Sequence, residues 1–130
     1  MIELRTVAAV AVGAALGGIL RFLVAQWVIG RFGPGTGPYA TFFINVSGSF
    51  LIGIVLEVAL TRSGVDSLWR PFLATGILGG YTTFSTYSYE AVALWSAGEI
   101  GPTIFYIGGS VVLGMLACAG GITVARTFAH

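Results

Sequence analysis

Apolar residues dominate four stretches of the chain, and each is long enough to cross a bilayer. The hydrocarbon core is roughly 30 Å thick and takes about 20 apolar residues in a helix. The pattern therefore predicts membrane spans near Val7–Ile29, Tyr39–Leu60, Leu68–Trp95 and Gly101–Phe128, joined by short connections. We expect an all-α integral membrane protein in which residues 1–130 form a single domain of four transmembrane helices.

Composition agrees with a membrane location. Of the 130 residues, 56% are hydrophobic and 8% are charged, which is too little charge to cover a soluble domain of this size. The net charge is +1, so no basic patch for nucleic acid is present. Enzyme chemistry is not expected, because the only histidine, His130, is terminal and no nucleophile–base pair or metal cluster is present.

The arginines are unequally divided between the two ends of the predicted bundle. Four spans put both termini on one side, and that side carries Arg5, Arg62, Arg70 and Arg126, against Arg31 on the other. This excess favours cytoplasmic termini by the positive-inside rule, although it amounts to one or two charges per loop. So small a bias is compatible with insertion in both orientations.

The third predicted span is unusually polar for a membrane helix. Residues 76–90 read GILGGYTTFSTYSYE, so that two adjacent glycines near the middle of the span precede a run of hydroxyl side chains. Such a glycine pair is where a membrane helix can unwind, and backbone carbonyls freed in this way often hold a cation. We predict that the third helix is broken near its middle, at Gly79 and Gly80.

The hydroxyl run after the glycines has the composition of an ion pathway. Phe84 and Tyr87 lie one turn apart on one helix face and are surrounded by Thr and Ser side chains. The run supplies many O–H and N–H donors without a central carboxylate, and the positive edge of an aromatic ring can also face an anion. These groups fit a small, hard anion, and the chemistry alone does not separate fluoride from chloride.

Four further polar residues fall inside the predicted spans. Arg21 lies about 12 Å deep in the first span and Asn45 about 9 Å deep in the second, measured from the same side. Arg21 either faces an anion or snorkels to the lipid headgroups, and the two interpretations have equal weight. The small and hydroxyl neighbours of Asn45 favour a pathway. Glu57 is expected at the membrane interface, whereas Glu90 either caps the polar run at a vestibule or pairs with a hydroxyl.

Small residues spaced four apart indicate tight helix packing, within or between subunits. The pairs are Gly13 with Gly17, Ser49 with Gly53, and Ser110 with Gly114. Because a four-span chain of this length has little room to enclose a pathway by itself, any transport role would favour an oligomer.

The motif GGYTTFSTYS resembles the fluoride channel family, the Fluc or CrcB proteins. The resemblance covers essentially the whole chain, through an arginine late in the first span (GGILRF), an asparagine in the second (FFINVSGS), and a tyrosine and a serine in the fourth (FYIGGS). It implies a fluoride-specific channel of the cell (inner) membrane, which exports fluoride passively and reduces its toxicity. It also implies an antiparallel, dual-topology homodimer with two pores and a structural Na⁺ at the dimer interface.

The resemblance also implies roles for individual residues. Asn45 would be the pore amide, Phe84 and Tyr87 the aromatic box, and the Gly79 and Thr82 carbonyls the Na⁺ ligands. The other implied pathway residues are Arg21, Thr83, Ser85, Thr86, Tyr106 and Ser110, with Thr41 and Glu90 as weaker candidates. Position 87 is usually Phe in the family, so the added hydroxyl either bonds within the polar track or offers its proton to the anion.

Two other functions compete with the channel. A small multidrug-resistance-type cation/proton antiporter also has four short spans in an antiparallel pair, but it would need a central membrane carboxylate, and the first span has none. A non-transporting membrane scaffold held by its glycine faces would leave Asn45 and the midplane hydroxyls with no task beyond helix contacts.

Overall fold

The computed structural model describes residues 3–61 and 67–128, and that part of the chain is helical without strands. The elements are α1 (Leu4–Phe32), α2 (Gly37–Thr61), a π-helix (Pro71–Leu78), the single turn α3 (Gly79–Tyr81), α4 (Phe84–Ser96) and α5 (Ile100–Thr127). Arg62 and His130 lie outside the described residues.

Within the described ranges, α1, α2 and α5 are each long and apolar enough to cross a membrane as continuous helices. They match the first, second and fourth predicted spans. The third predicted span is divided among the π-helix, α3 and α4, so none of its helices reaches the length of a span. The prediction of a third helix broken near its middle is confirmed.

The position of the break differs from the prediction. Gly79 has helical dihedral angles (φ −64°, ψ −36°) and Gly80 is also helical, whereas Thr82 (φ −78°, ψ 159°) and Thr83 (φ −150°, ψ 122°) are extended. The expectation that the glycine pair itself unwinds is therefore wrong. Gly80 has another use, because a Cβ on it would lie 3.0 Å from the Cα of Ala14 in α1.

Glycines let α1 approach the backbone of the broken span directly. A Cβ on Gly13 would lie 2.9 Å from the Cα of Gly76, and one on Gly17 would overlap the Ile77 carbonyl. Contacts this close are available only to residues without a side chain. The first predicted small-residue pair is thus used for packing within the chain.

The second and third small-residue pairs join α2 to α5. A Cβ on Gly53 would overlap the carbonyl of Cys118, and one on Gly114 would lie 3.6 Å from the hydroxyl of Ser49. At the end of this interface Arg126 donates to Glu57 at 2.8 Å, with the arginine side chain 67% and the glutamate 12% exposed. Helix α2 therefore lies against α5 along its length and also packs against α1 and the broken span.

Candidate ion pathway

A cavity of about 370 Å³ lies at the break of the third span, between α2, α4 and α5. Its wall includes many of the predicted site residues, namely Asn45, Gly79, Thr82, Thr83, Phe84, Tyr87 and Ser110. The remaining lining is small or apolar and comes mainly from α2 and α5, including Gly48 and Val111. The structure thus gathers residues from three separate stretches of sequence around one mostly apolar cavity that carries a few polar groups.

Asn45 connects α2 to the break through both ends of its side-chain amide. The Thr83 N–H donates to Asn45 Oδ1 at 2.8 Å, and Asn45 Nδ2 donates to the Thr83 carbonyl at 2.9 Å. An amide nitrogen carries two donors, so one N–H of Asn45 remains beyond this pair. The sequence pointed to Asn45 as a donor toward an ion and missed its bonds to the backbone 38 positions away.

Three aromatic rings follow one another from the break into α5. The Phe84 and Tyr87 ring centroids are 5.6 Å apart, and those of Tyr87 and Tyr106 are 5.2 Å apart, with tilted ring planes in both pairs. Rings at these distances and angles attract one another through their quadrupoles. The two box positions therefore lie in contact within one chain, and Tyr106 continues the row.

Both tyrosines of this row are held by hydrogen bonds at the hydroxyl. Tyr87 donates to the main-chain carbonyl of Ile107 at 3.2 Å, and Tyr106 donates to Glu90 Oε2 at 2.7 Å. The second bond gives Glu90 a hydroxyl partner, which was one of its two predicted roles. The Ile107 carbonyl left no signal in the sequence, because any residue supplies one.

Hydroxyl groups start α4. Thr83 caps the helix, since its Oγ1 accepts from the Thr86 N–H at 3.2 Å, and the same hydroxyl donates to Thr86 Oγ1 at 3.1 Å. Ser85 Oγ lies 3.4 Å from Thr83 Oγ1, and the Ser85 and Thr86 side chains are exposed in the single chain. The predicted polar track is therefore a bonded cluster at one end and an open surface at the other.

Ser110 provides a hydroxyl that has no partner among residues 3–61 and 67–128. Among the described residues, its Oγ is the buried side-chain polar atom for which no hydrogen bond is found, and it belongs to the cavity wall. A buried hydroxyl without a partner is costly. The cavity is where a partner can be supplied.

Arg21 is the predicted site residue that the structure leaves apart. It is partly exposed on α1, does not belong to the cavity wall, and has no hydrogen bond or ion pair with residues 3–61 or 67–128. Helix α1 packs against the π-helix and α3, which precede the break in the third span. In the single chain Arg21 therefore does not line this cavity.

Comparison with known proteins identifies the family. The family model described as CrcB-like protein, Camphor Resistance (CrcB), matches residues 8–122, which is most of the chain. The chain is a member of the CrcB family. As a CrcB protein with several apolar helices it is a multi-pass membrane protein.

Curated relatives of this CrcB protein carry a functional name. It is 46% identical over 117 residues to a protein of Rhizobium meliloti (90% of this chain, 93% of the relative) and 48% identical over 107 residues to one of Thermus thermophilus (82% and 83%). A protein of Chloroflexus aurantiacus is 42% identical over 125 residues (96% and 98%). All three are named fluoride-specific ion channel FluC.

Proposed function

We propose that this CrcB protein is a fluoride-specific ion channel, which exports fluoride passively from the cytoplasm across the inner membrane and so reduces its toxicity. The observation that carries the proposal is the cavity at the helix break, whose wall includes the amide of Asn45, the ring of Phe84 and a Ser110 hydroxyl without a partner in the described part of the chain. The choice of fluoride as the ion rests on the names of the relatives. No coupling carboxylate lies on α1, which contains no acidic residue, so passive flow is favoured over antiport.

The cavity wall carries hydrogen-bond donors that can replace water molecules around an anion. A small anion can enter a membrane protein only if its hydration shell is replaced by donors. The free N–H of Asn45 and the Ser110 hydroxyl are donors, and the edges of Phe84 and Tyr87 carry partial positive charge. The proposed selectivity rests on partial dehydration of the anion against these few donors and ring edges.

We propose that the working unit is a homodimer. In the single chain Phe84 is 79% exposed, and Ser85 and Thr86 are also exposed at the middle of a spanning segment. Irregular backbone and hydroxyls at that depth are tolerated only when protein covers them or water fills the cavity beside them. A second copy would cover this surface and close the pathway.

An antiparallel arrangement suits the distribution of charge and the position of the break. The positive-inside bias among the described arginines is weak, with Arg5, Arg70 and Arg126 against Arg31. An antiparallel pair has its two-fold axis in the membrane plane, so residues near mid-depth meet their own copies. The exposed Gly79 and the half-buried Thr82 lie near the middle of the third predicted span, and each copy would contribute to two equivalent pores.

The same surface has groups that fit a sodium ion. In a continuous α-helix the Gly79 carbonyl would accept from the Thr83 N–H and the Thr82 carbonyl from the Thr86 N–H. Here Thr83 N–H donates to Asn45 and Thr86 N–H to Thr83 Oγ1. Both carbonyls have lost their helical donors, and unwound membrane carbonyls are typical ligands of Na⁺. Bound between two copies, Na⁺ would offset the partial negative charge of four such oxygens.

Efflux from liposomes tests this function. Purified wild-type protein is reconstituted with internal fluoride, and release is followed with a fluoride electrode, with chloride and a drug-like cation measured in parallel vesicles. We expect rapid, fluoride-selective release that needs no proton gradient. Release of the cation against protons, or the absence of fluoride release from folded protein, would overturn the proposal.

A further inference from the structure

We propose that Asn45 is a positioning residue for the cation site, in addition to its role as a donor in the pathway. This inference rests on the function proposed above. The observation is that one side-chain amide binds both backbone groups of Thr83, accepting from its N–H at 2.8 Å and donating to its carbonyl at 2.9 Å. The amide therefore gives Thr83 the two partners that its extended backbone would otherwise lack.

The first consequence concerns Gly79. The carbonyl of Gly79 stands one helical turn before Thr83, so it is the nearest alternative acceptor for the Thr83 N–H. While Asn45 Oδ1 holds this N–H, the chain cannot close the turn and the Gly79 carbonyl stays open. Gly79 has no side chain and is exposed in the single chain, so its carbonyl is accessible from the surface where a second copy is proposed.

The second consequence concerns Thr82. Because the Thr83 backbone is held extended, its side chain turns toward the start of α4, where Oγ1 accepts the Thr86 N–H at 3.2 Å. That N–H is the helical donor of the Thr82 carbonyl. Asn45 thus acts through Thr83 on both proposed ligands, directly for Gly79 and through the helix cap for Thr82.

The chemistry of the amide is specific to this task. Asparagine places an acceptor and a donor side by side in one plane, which matches the N–H and carbonyl of one extended residue, whereas leucine has neither group and aspartate keeps only acceptors. The second N–H of Asn45 still points to no partner within the described chain. One amide therefore joins the anion pathway to the cation site.

Sodium-dependent thermal unfolding of purified protein tests the proposal without measuring channel activity. The unfolding temperature is recorded in NaCl and in N-methyl-D-glucamine chloride of equal ionic strength, for wild type, Asn45→Leu and Asn45→Asp. Ser47→Ala is the matched control. The Ser47 hydroxyl lies 3.0 Å from the Tyr81 hydroxyl, so it also links α2 to the broken span, and it makes no hydrogen bond with Thr83.

We expect sodium to raise the unfolding temperature of wild type, Ser47→Ala and Asn45→Asp, which keeps the acceptor for the Thr83 N–H. Asn45→Leu should lose this rise. The inference would be overturned if Asn45→Leu kept the sodium-dependent rise of wild type, or if Ser47→Ala lost that rise as well. If Asn45→Leu does not fold, loss of the rise in Asn45→Asp would overturn the inference. A wild type without any response would refute the sodium site and this inference together, while fluoride efflux from the same preparation reports separately on the channel.

Discussion

The hydroxyl of Tyr87 on α4 donates to the main-chain carbonyl of Ile107 on α5, 3.2 Å away. This bond fixes the ring between Phe84 and Tyr106. The sequence left two roles open for the Tyr87 hydroxyl, a bond within the protein or donation of its proton to the anion. In this chain the hydroxyl is bonded within the protein.

Replacing Tyr87 by Phe should therefore change stability more than conduction. The loss of one neutral hydrogen bond lowers the free energy of unfolding by about 1 kcal/mol. The ring remains, so fluoride efflux should change less than about tenfold, with selectivity over chloride retained. Tyr87→Ile, which removes the ring, should reduce efflux much more. Tyr89→Phe is the control, since Tyr89 is 76% exposed and lies outside the cavity wall. Equal efflux from the Phe and Ile variants would contradict a role for the ring.

Glu90 and Tyr106 should behave as one unit. The Tyr106 side chain is buried and its hydroxyl donates to Glu90 at 2.7 Å, so removing Glu90 takes the carboxylate acceptor away from a buried hydroxyl. A double-mutant cycle of Glu90→Leu and Tyr106→Phe, read as the free energy of unfolding, should give a coupling of about 1–3 kcal/mol. Glu90→Gln keeps an acceptor and should retain most of it. Additive effects would mean that the bond contributes nothing to stability.

Much of the fold follows from the sequence because membrane burial imposes simple rules on length and polarity. Three continuous spans and a broken one were predictable from apolar runs and the polar third segment. The exact break was not, because glycine in a membrane helix serves either unwinding or close packing, and here Gly80 packs against Ala14. The π-helix gave no signal either, since its sequence is an ordinary apolar run.

The candidate site was only partly predictable, for a related reason. Residue types identify donors and rings, but a hydrogen bond between distant elements depends on helix register. The bonds of Asn45 to the Thr83 backbone and of Tyr87 to the Ile107 carbonyl are of this kind. The separation of Arg21 from the cavity is also set by packing, because the glycines of α1 hold this helix against the backbone of the π-helix.

Ser110→Ala should reduce fluoride efflux without reducing the free energy of unfolding. Its hydroxyl has no partner in the described chain, so removing it sacrifices no hydrogen bond, and the free energy of unfolding should stay within about 0.5 kcal/mol of wild type or rise. Fluoride efflux should nevertheless fall, because a donor leaves the cavity. Thr123→Ala is the matched control on α5, since that hydroxyl bonds its own helix at Ala119. Unchanged efflux in Ser110→Ala would remove Ser110 from the pathway.

Two neighbouring glycines of α1 should respond differently to substitution by alanine. A Cβ on Gly17 would overlap the Ile77 carbonyl, whereas one on Gly18 would meet no atom within 4 Å. Gly17→Ala should therefore lower the free energy of unfolding by about 1–3 kcal/mol through overpacking, and Gly18→Ala should be neutral. Thermal unfolding of both variants in the same detergent checks this, and equal stability would contradict the packing of α1 on the broken span.

A comparison of two phenylalanines tests whether the cavity at the helix break is the fluoride pathway. Phe84 belongs to the cavity wall, and Phe43 lies on another face of α2. Fluoride efflux is measured from liposomes containing wild type, Phe84→Ile or Phe43→Ile, each shown to be folded by its unfolding transition. We predict a loss greater than about tenfold for Phe84→Ile, equivalent to about 1.4 kcal/mol in the barrier, and near wild-type efflux for Phe43→Ile. Wild-type efflux from folded Phe84→Ile, or an equal loss in both variants, would show that the cavity is not the fluoride pathway.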